Sequence, residues 1–140
     1  MAANNSDSID KLVVMGSLSY FSDTDHDNEQ GIRDHVLNDN IANRHYWKFY
    51  GKEYYSKLWN QMIDEFKKYT DICNNDLPLI RQPCLVLHGN RDFVWSDEHP
   101  DYLVDNIPNA RLVRFPKAGH SIHWMCYNEF RDVVQHFLLN

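Results

Sequence analysis

Leu85-Val86-Leu87-His88-Gly89-Asn90-Arg91-Asp92 is the stretch that decides the fold. A short, unbroken apolar run closes at a glycine, and a carboxylate follows in the next turn. Downstream, Arg111-Leu112-Val113-Arg114-Phe115 stops at Pro116, and Lys117-Ala118-Gly119-His120 then delivers an imidazole. Short apolar runs bounded by Gly and Pro read as strands. Two strand ends therefore present an acid and a base. A neutral imidazole can take a proton from a hydroxyl nucleophile, and a carboxylate behind it fixes the tautomer and stabilises the imidazolium that forms. Asp92 and His120 are the catalytic candidates. Gly89 permits the tight turn after the first run, and Gly119 permits unusual backbone beside the histidine.

Working outward, Leu12-Val13-Val14-Met15 is another buried-type strand, closed by Gly16. The run that holds Leu85 begins at Cys84 after Pro83, and the run 111–115 alternates as a strand nearer a sheet edge does. Tyr54, Tyr55, Leu58, Trp59, Met62, Ile63, Phe66 and Tyr69 recur at helical spacing and predict an amphipathic helix. Weaker patterns predict helices over 29–40 and 44–50, the second ending at Gly51. Further helices are expected over 97–106 and 127–138. The order is strand, helical insertion, strand, helix, strand, helix, which implies an α/β fold with a parallel sheet. Functional groups in such sheets gather beyond the carboxyl ends of the strands, where Asp92 and His120 both fall. The chain shows no internal repeat and no low-complexity segment.

A chain of 140 residues suits one domain or part of one, and 43% hydrophobic with 14% aromatic residues is enough for a packed core. A net charge of −6 argues against a nucleic-acid surface. No apolar run approaches membrane-spanning length, so no membrane partner is expected. Cys73, Cys84 and Cys126 form neither a zinc spacing nor an even set, and the first residues lack the pattern of a signal or transit peptide. Free thiols in a reducing intracellular compartment, cytoplasmic or mitochondrial, are expected.

The segments Leu85–Asp92 and Phe115-Pro116-Lys117-Ala118-Gly119-His120 resemble the closing part of an α/β-hydrolase. More narrowly, they resemble the biphenyl hydrolase-like, or valacyclovir hydrolase, proteins. Ile9–Gly16, Glu29–Asp34, Tyr50–Tyr55, His120-Ser121-Ile122-His123 and Asn128-Glu129-Phe130 extend the similarity over nearly all of this chain but only the later part of that family's domain. The resemblance implies a single partial α/β-hydrolase domain over 1–140, with about three parallel strands, flanking helices and a helical lid over about 20–80. It implies that Asp92 is the triad acid and His120 the base, on loops within 88–123. The implied substrates are small-molecule esters, α-amino acid esters being favoured in the named subfamily, and no cofactor is needed. Phe93 stands where that family usually has proline after the acid, which changes turn stiffness but not the triad.

The nucleophile is the departure. The family's G-x-S-x-G elbow lies before the first strand of this chain, and no such pattern occurs here. The oxyanion-hole loop and the acidic group that would hold a substrate amine belong to the same missing part. Ser17, Ser19, Ser96 and Ser121 lie near strand ends or in the loops, but none has the elbow context. Three readings stay open. The chain is the carboxyl-terminal portion of a serine hydrolase, inactive alone. It is a non-catalytic binding or interaction module derived from the hydrolase fold. Or it is a standalone enzyme with an unconventional nucleophile.

Other patterns carry less. His120-x-x-His123 with Asp92 lacks the HExxH or Cys/His framework of a zinc site. His123 is expected to begin the last helix or line the pocket mouth. Asp23-Thr24-Asp25-His26-Asp27 imitates a calcium loop, but Asn28 and Asp34 occupy the places that need glycine and glutamate, and an acidic helix cap is preferred. The aromatics Tyr46, Trp47, Phe49, Tyr50, Tyr54, Tyr55 and Trp59 could line a ligand pocket but more often such a stripe is packing surface, and in a lid both can hold; Lys52, Lys57, Lys67 and Lys68 read as a solvated face.

Overall fold

The computed structural model describes residues 2–4, 8–18, 20, 29–31, 33–34, 37–38, 40–68 and 75–140. They fall into two compact units, Met1–Tyr20 with Asp71–Asn140, and Phe21–Thr70. The elements run β1 (Leu12–Met15), α1 (Ile41–Tyr50), α2 (Lys52–Phe66), β2 (Cys84–Gly89), α3 (Glu98–Asn106), β3 (Ala110–Phe115), α4 (Ile122–Met125) and α5 (Tyr127–Leu139).

The first unit is built on a parallel sheet in the order β1-β2-β3. Leu12 pairs with Cys84 and Cys84 with Ala110, so the strands start level and their carboxyl ends share one rim. The unbroken apolar run in β2 has a direct cause: the strand is central and both faces are covered. Cys84 and Val86 point into a cluster with Leu77, Ile80, Leu103 and Ile107. Leu85 and Leu87 point the other way, against Phe115, Ala118, Ile122 and Phe137. Burying each such aliphatic side chain stabilises the unit by about 1.5–3 kcal/mol. β3 is the outer strand and is only partly buried, in keeping with its alternation.

The helices of this unit match their patterns within a residue or two. Glu98 and Asp101 in the first turn of α3 face the positive end of the helix dipole. At the other end of the chain, Phe130, Val133, Val134 and Phe137 form the buried stripe of α5. Lys11 Nζ donates to the carbonyls of Phe137 (2.9 Å) and Leu138 (3.1 Å), satisfying acceptors that the helix end leaves open. One boundary differs from expectation. His123 does not begin the last helix but sits in the separate short helix α4, and Cys126 breaks the path before α5.

The second unit holds α1 and α2. α1 starts at Ile41 rather than at 44, because the Asn40 side chain accepts from the Asn43 N–H at 2.8 Å and caps it there. Gly51, at φ +76°, donates its N–H to Trp47 and ends it as expected. Of the helix predicted over 29–40, residues 29–31, 33–34 and 37 are helical. Arg33 pairs with Glu29 in its own turn (2.7 Å) and ties that turn to α2 through Asp64 (2.6 Å), and Lys67 reaches Glu29 at 2.7 Å. The aromatic stripe is not uniformly a packing surface in this unit. Tyr55 and Ile63 are buried, whereas Phe49, Tyr50 and Tyr54 are exposed. Tyr69 and the acidic run 23–27 lie outside the described residues.

Candidate active site

Two loops leave neighbouring strand ends, and their backbones are joined. Asn90 N–H donates to the Phe115 carbonyl at 3.1 Å, and Arg91 N–H donates to the Ala118 carbonyl at 2.9 Å. The acid loop also closes on itself through Asp92 N–H and the Gly89 carbonyl (2.9 Å). Such close approach leaves no room at Gly89. A Cβ there would run into the Gly119 carbonyl oxygen and lie 2.5 Å from that of Ala118. The glycine is required by contact with the other loop as much as by the turn.

This stitching brings Asp92 and His120 together. His120 Nδ1 lies 2.9 Å from Asp92 Oδ2. The Asp92 side chain is 1% exposed and that of His120 is 37% exposed. The second carboxylate oxygen has a different task. Oδ1 accepts from the N–H of Val94 (2.8 Å) and of Trp95 (3.3 Å), which holds the turn after β2 in shape. One carboxyl group thus anchors its own loop and orients an imidazole on the next. Among the described residues, Asp92 is the one hydrogen-bond partner of His120. With Nδ1 donating to the carboxylate, the Nε2 lone pair is left to accept a proton.

Behind the acid loop lies a network that the sequence reading did not assign. His88, the buried penultimate residue of β2, places Nε2 at 3.1 Å from Asp97 Oδ1. Arg114 of β3 bridges Asp97 and Asp101, the latter at 2.7 Å. The ends of β2 and β3 and the start of α3 are thereby tied on both sides of Asp92. Burial pulls the His88 pKa below its ordinary value, against the opposing pull of Asp92 and Asp97. Only the polar type and the strand-end position of His88 hinted at such a role.

Among the described residues, no serine candidate is hydrogen-bonded to the pair. Ser17 Oγ donates to the Leu18 carbonyl at 3.4 Å, Ser96 Oγ to Glu98 at 2.9 Å, and Ser121 flanks α4. Ser19 lies outside the described residues. No cluster of three or more His, Cys, Asp or Glu side chains able to hold a metal occurs among the described residues, so His123 with the pair does not form one. Cys84 is fully buried, and burial pushes its thiol up to about 11. No helix among the described residues is long and apolar enough to cross a membrane.

Serine hydrolase BPHL of Mus musculus is 32% identical over 135 residues, a match spanning 93% of this chain and 46% of that protein. This chain is a homologue of serine hydrolase BPHL. It spans about half the length of the curated relatives it matches, in their carboxyl-terminal part. The fold agrees. An α/β-hydrolase enzyme from a Medee basin deep-sea metagenome library superposes with a TM-score of 0.68 at 22% identity, over 99% of this chain and 59% of that one. The meta-cleavage product hydrolase CumD of Pseudomonas fluorescens gives 0.73 at 18% identity, over 98% of this chain and 58% of that one. The parallel sheet with its flanking helices is therefore part of an α/β-hydrolase fold. No family model matches the chain.

Proposed function

We propose that this chain supplies the acid and the base of a serine-hydrolase triad acting on small-molecule carboxylic esters, α-amino acid esters among them. The 2.9 Å contact between His120 Nδ1 and Asp92 Oδ2 carries the reading. It is supported by the match to a serine hydrolase across 93% of the chain. In this reading His120 Nε2 removes the proton from a serine hydroxyl as that oxygen attacks the ester carbonyl. Asp92 holds the ring in the required tautomer and offsets the charge that forms on it. His120 then returns the proton to the leaving alkoxide, and a water repeats the cycle to free the acid. The serine and the oxyanion donors come from polypeptide beyond these 140 residues, which leaves the 140-residue chain inactive by itself.

The test is an aryl-ester turnover assay on two proteins. One is the 140-residue chain alone. The other is this chain joined to the part of mouse serine hydrolase BPHL that it does not span, shown by a cooperative melt to be folded. Turnover is expected in the joined form only, and it should disappear in His120→Ala. A folded joined form without turnover, or turnover that survives His120→Ala, refutes the proposal.

A further inference from the structure

The two glycines at positive φ among the described residues are Gly16 and Gly51, and their surroundings differ. Gly51, at φ +76°, faces open space, with nothing within 4 Å of where a Cβ would stand. Gly16, at φ +52°, closes β1 and faces the His120 ring. A Cβ on Gly16 would lie 3.0 Å from His120 Cε1, 3.2 Å from Nδ1 and 3.5 Å from the His120 carbonyl oxygen. Real Cβ contacts are seldom so short, so something would have to yield by a few tenths of an ångström. Gly16 is held in place: its N–H bonds to the Leu87 carbonyl at 3.3 Å, continuing the β1–β2 ladder. The distance to the His120 carbonyl oxygen is ordinary contact, so the crowding falls on the ring.

We infer that Gly16 is a positioning residue for His120. Its missing side chain leaves room beside the Cε1–Nδ1 edge of the imidazole, the edge that meets the Asp92 carboxylate. Asp92 fixes Nδ1 in distance, and the absence of a Cβ at Gly16 lets that edge of the ring stay where the carboxylate holds it. The inference rests on His120 being the base, and it gives Gly16 a reason beyond turn geometry. Reacting groups must be held within fractions of an ångström, and misplacement by about 1 Å lowers rates by about 100-fold.

The test reads His120 directly by NMR on the 140-residue chain. In Gly16→Ala the His120 Hε1 and ring-nitrogen resonances are expected to shift, and the protected Nδ1–H signal should weaken or vanish. Gly16→Asn, which tolerates positive φ but carries a Cβ, should do the same. Gly51→Ala imposes left-handed strain without a neighbour and should leave the His120 resonances in place. If both Gly16 variants leave His120 unchanged, or Gly51→Ala moves it equally, the inference is overturned. Should the Gly16 variants fail to fold, the native chain decides: a cross-peak between Gly16 Hα and His120 Hε1 supports the contact, and its absence overturns it. None of these readouts passes through turnover, so this inference and the proposed ester chemistry can fail separately.

Discussion

Replacing Asp92 with asparagine or with alanine should separate the two tasks of its carboxylate. Alanine removes everything. The Oδ1 side loses a good hydrogen bond from Val94 N–H (2.8 Å) and a long one from Trp95 N–H (3.3 Å). A buried hydrogen bond to a charged group contributes about 1.5–3 kcal/mol, so this side is worth about 2 kcal/mol. The Oδ2 side loses His120, whose ring is 37% exposed, and solvent screening reduces that contact to about 1 kcal/mol. Asp92→Ala should therefore destabilise the chain by about 3 kcal/mol. Asparagine keeps an oxygen where the two backbone N–H groups need an acceptor. Its amide nitrogen is then forced to the Oδ2 side, where it can only donate to His120 Nδ1. The loss should be about 1 kcal/mol, and the ring proton must move to Nε2. A melt near 4 °C lower per kcal/mol is expected for a chain of this length, so the two variants should differ by about 8 °C. Nitrogen NMR of the imidazole should report Nδ1–H in the native chain and Nε2–H in Asp92→Asn. That tautomer cannot accept a proton at Nε2, so ester turnover in the joined enzyme should fall about 10⁴-fold. Equal destabilisation by the two variants, or an unchanged tautomer in Asp92→Asn, would refute the division of labour.

His88 predicts a pH dependence. Burial lowers its pKa from 6.5, so the folded chain binds fewer protons there than the unfolded chain does. Stability contributed by this site is present above that value and is lost as pH falls below it, with a slope of at most about 1.4 kcal/mol per pH unit. His88→Gln should flatten the difference between melts at mildly acidic and neutral pH, and an unaltered difference counts against the assignment. Cys84, buried and with its thiol pushed up to about 11, should resist maleimide at pH 8 while the partly exposed Cys126 is modified. Mass mapping of the labelled chain checks this, and rapid native labelling of Cys84 would show that β2 is not covered on both faces.

Much of the first unit could be read without coordinates. The apolar runs at 12–15 and 84–88 lie in strands, and the helices predicted at 97–106 and 127–138 form with small shifts. Boundaries moved where a side chain intervened, as Asn40 does at α1, or where a break such as Cys126 isolates a four-residue helix. The aromatic stripe left the split between packing and exposed residues open, because helical spacing says which residues share a face but not what covers that face. Phe49 and Tyr54 fit the pattern and are exposed within their unit.

What the sequence determined is local: strand runs that end in glycine or proline, and an acid and an imidazole in the turns that follow. Those signals suffice because backbone preference and apolar periodicity act over a few residues. Tertiary structure alone decided that Asp92 Oδ2 meets His120 Nδ1 while Oδ1 holds the turn, that His88 and Arg114 share Asp97, and that Gly16 lies beside the His120 ring. Each of these joins residues brought together by the register of parallel strands, and contact at that range is set by how the strands pack, which no stretch of neighbouring residues encodes.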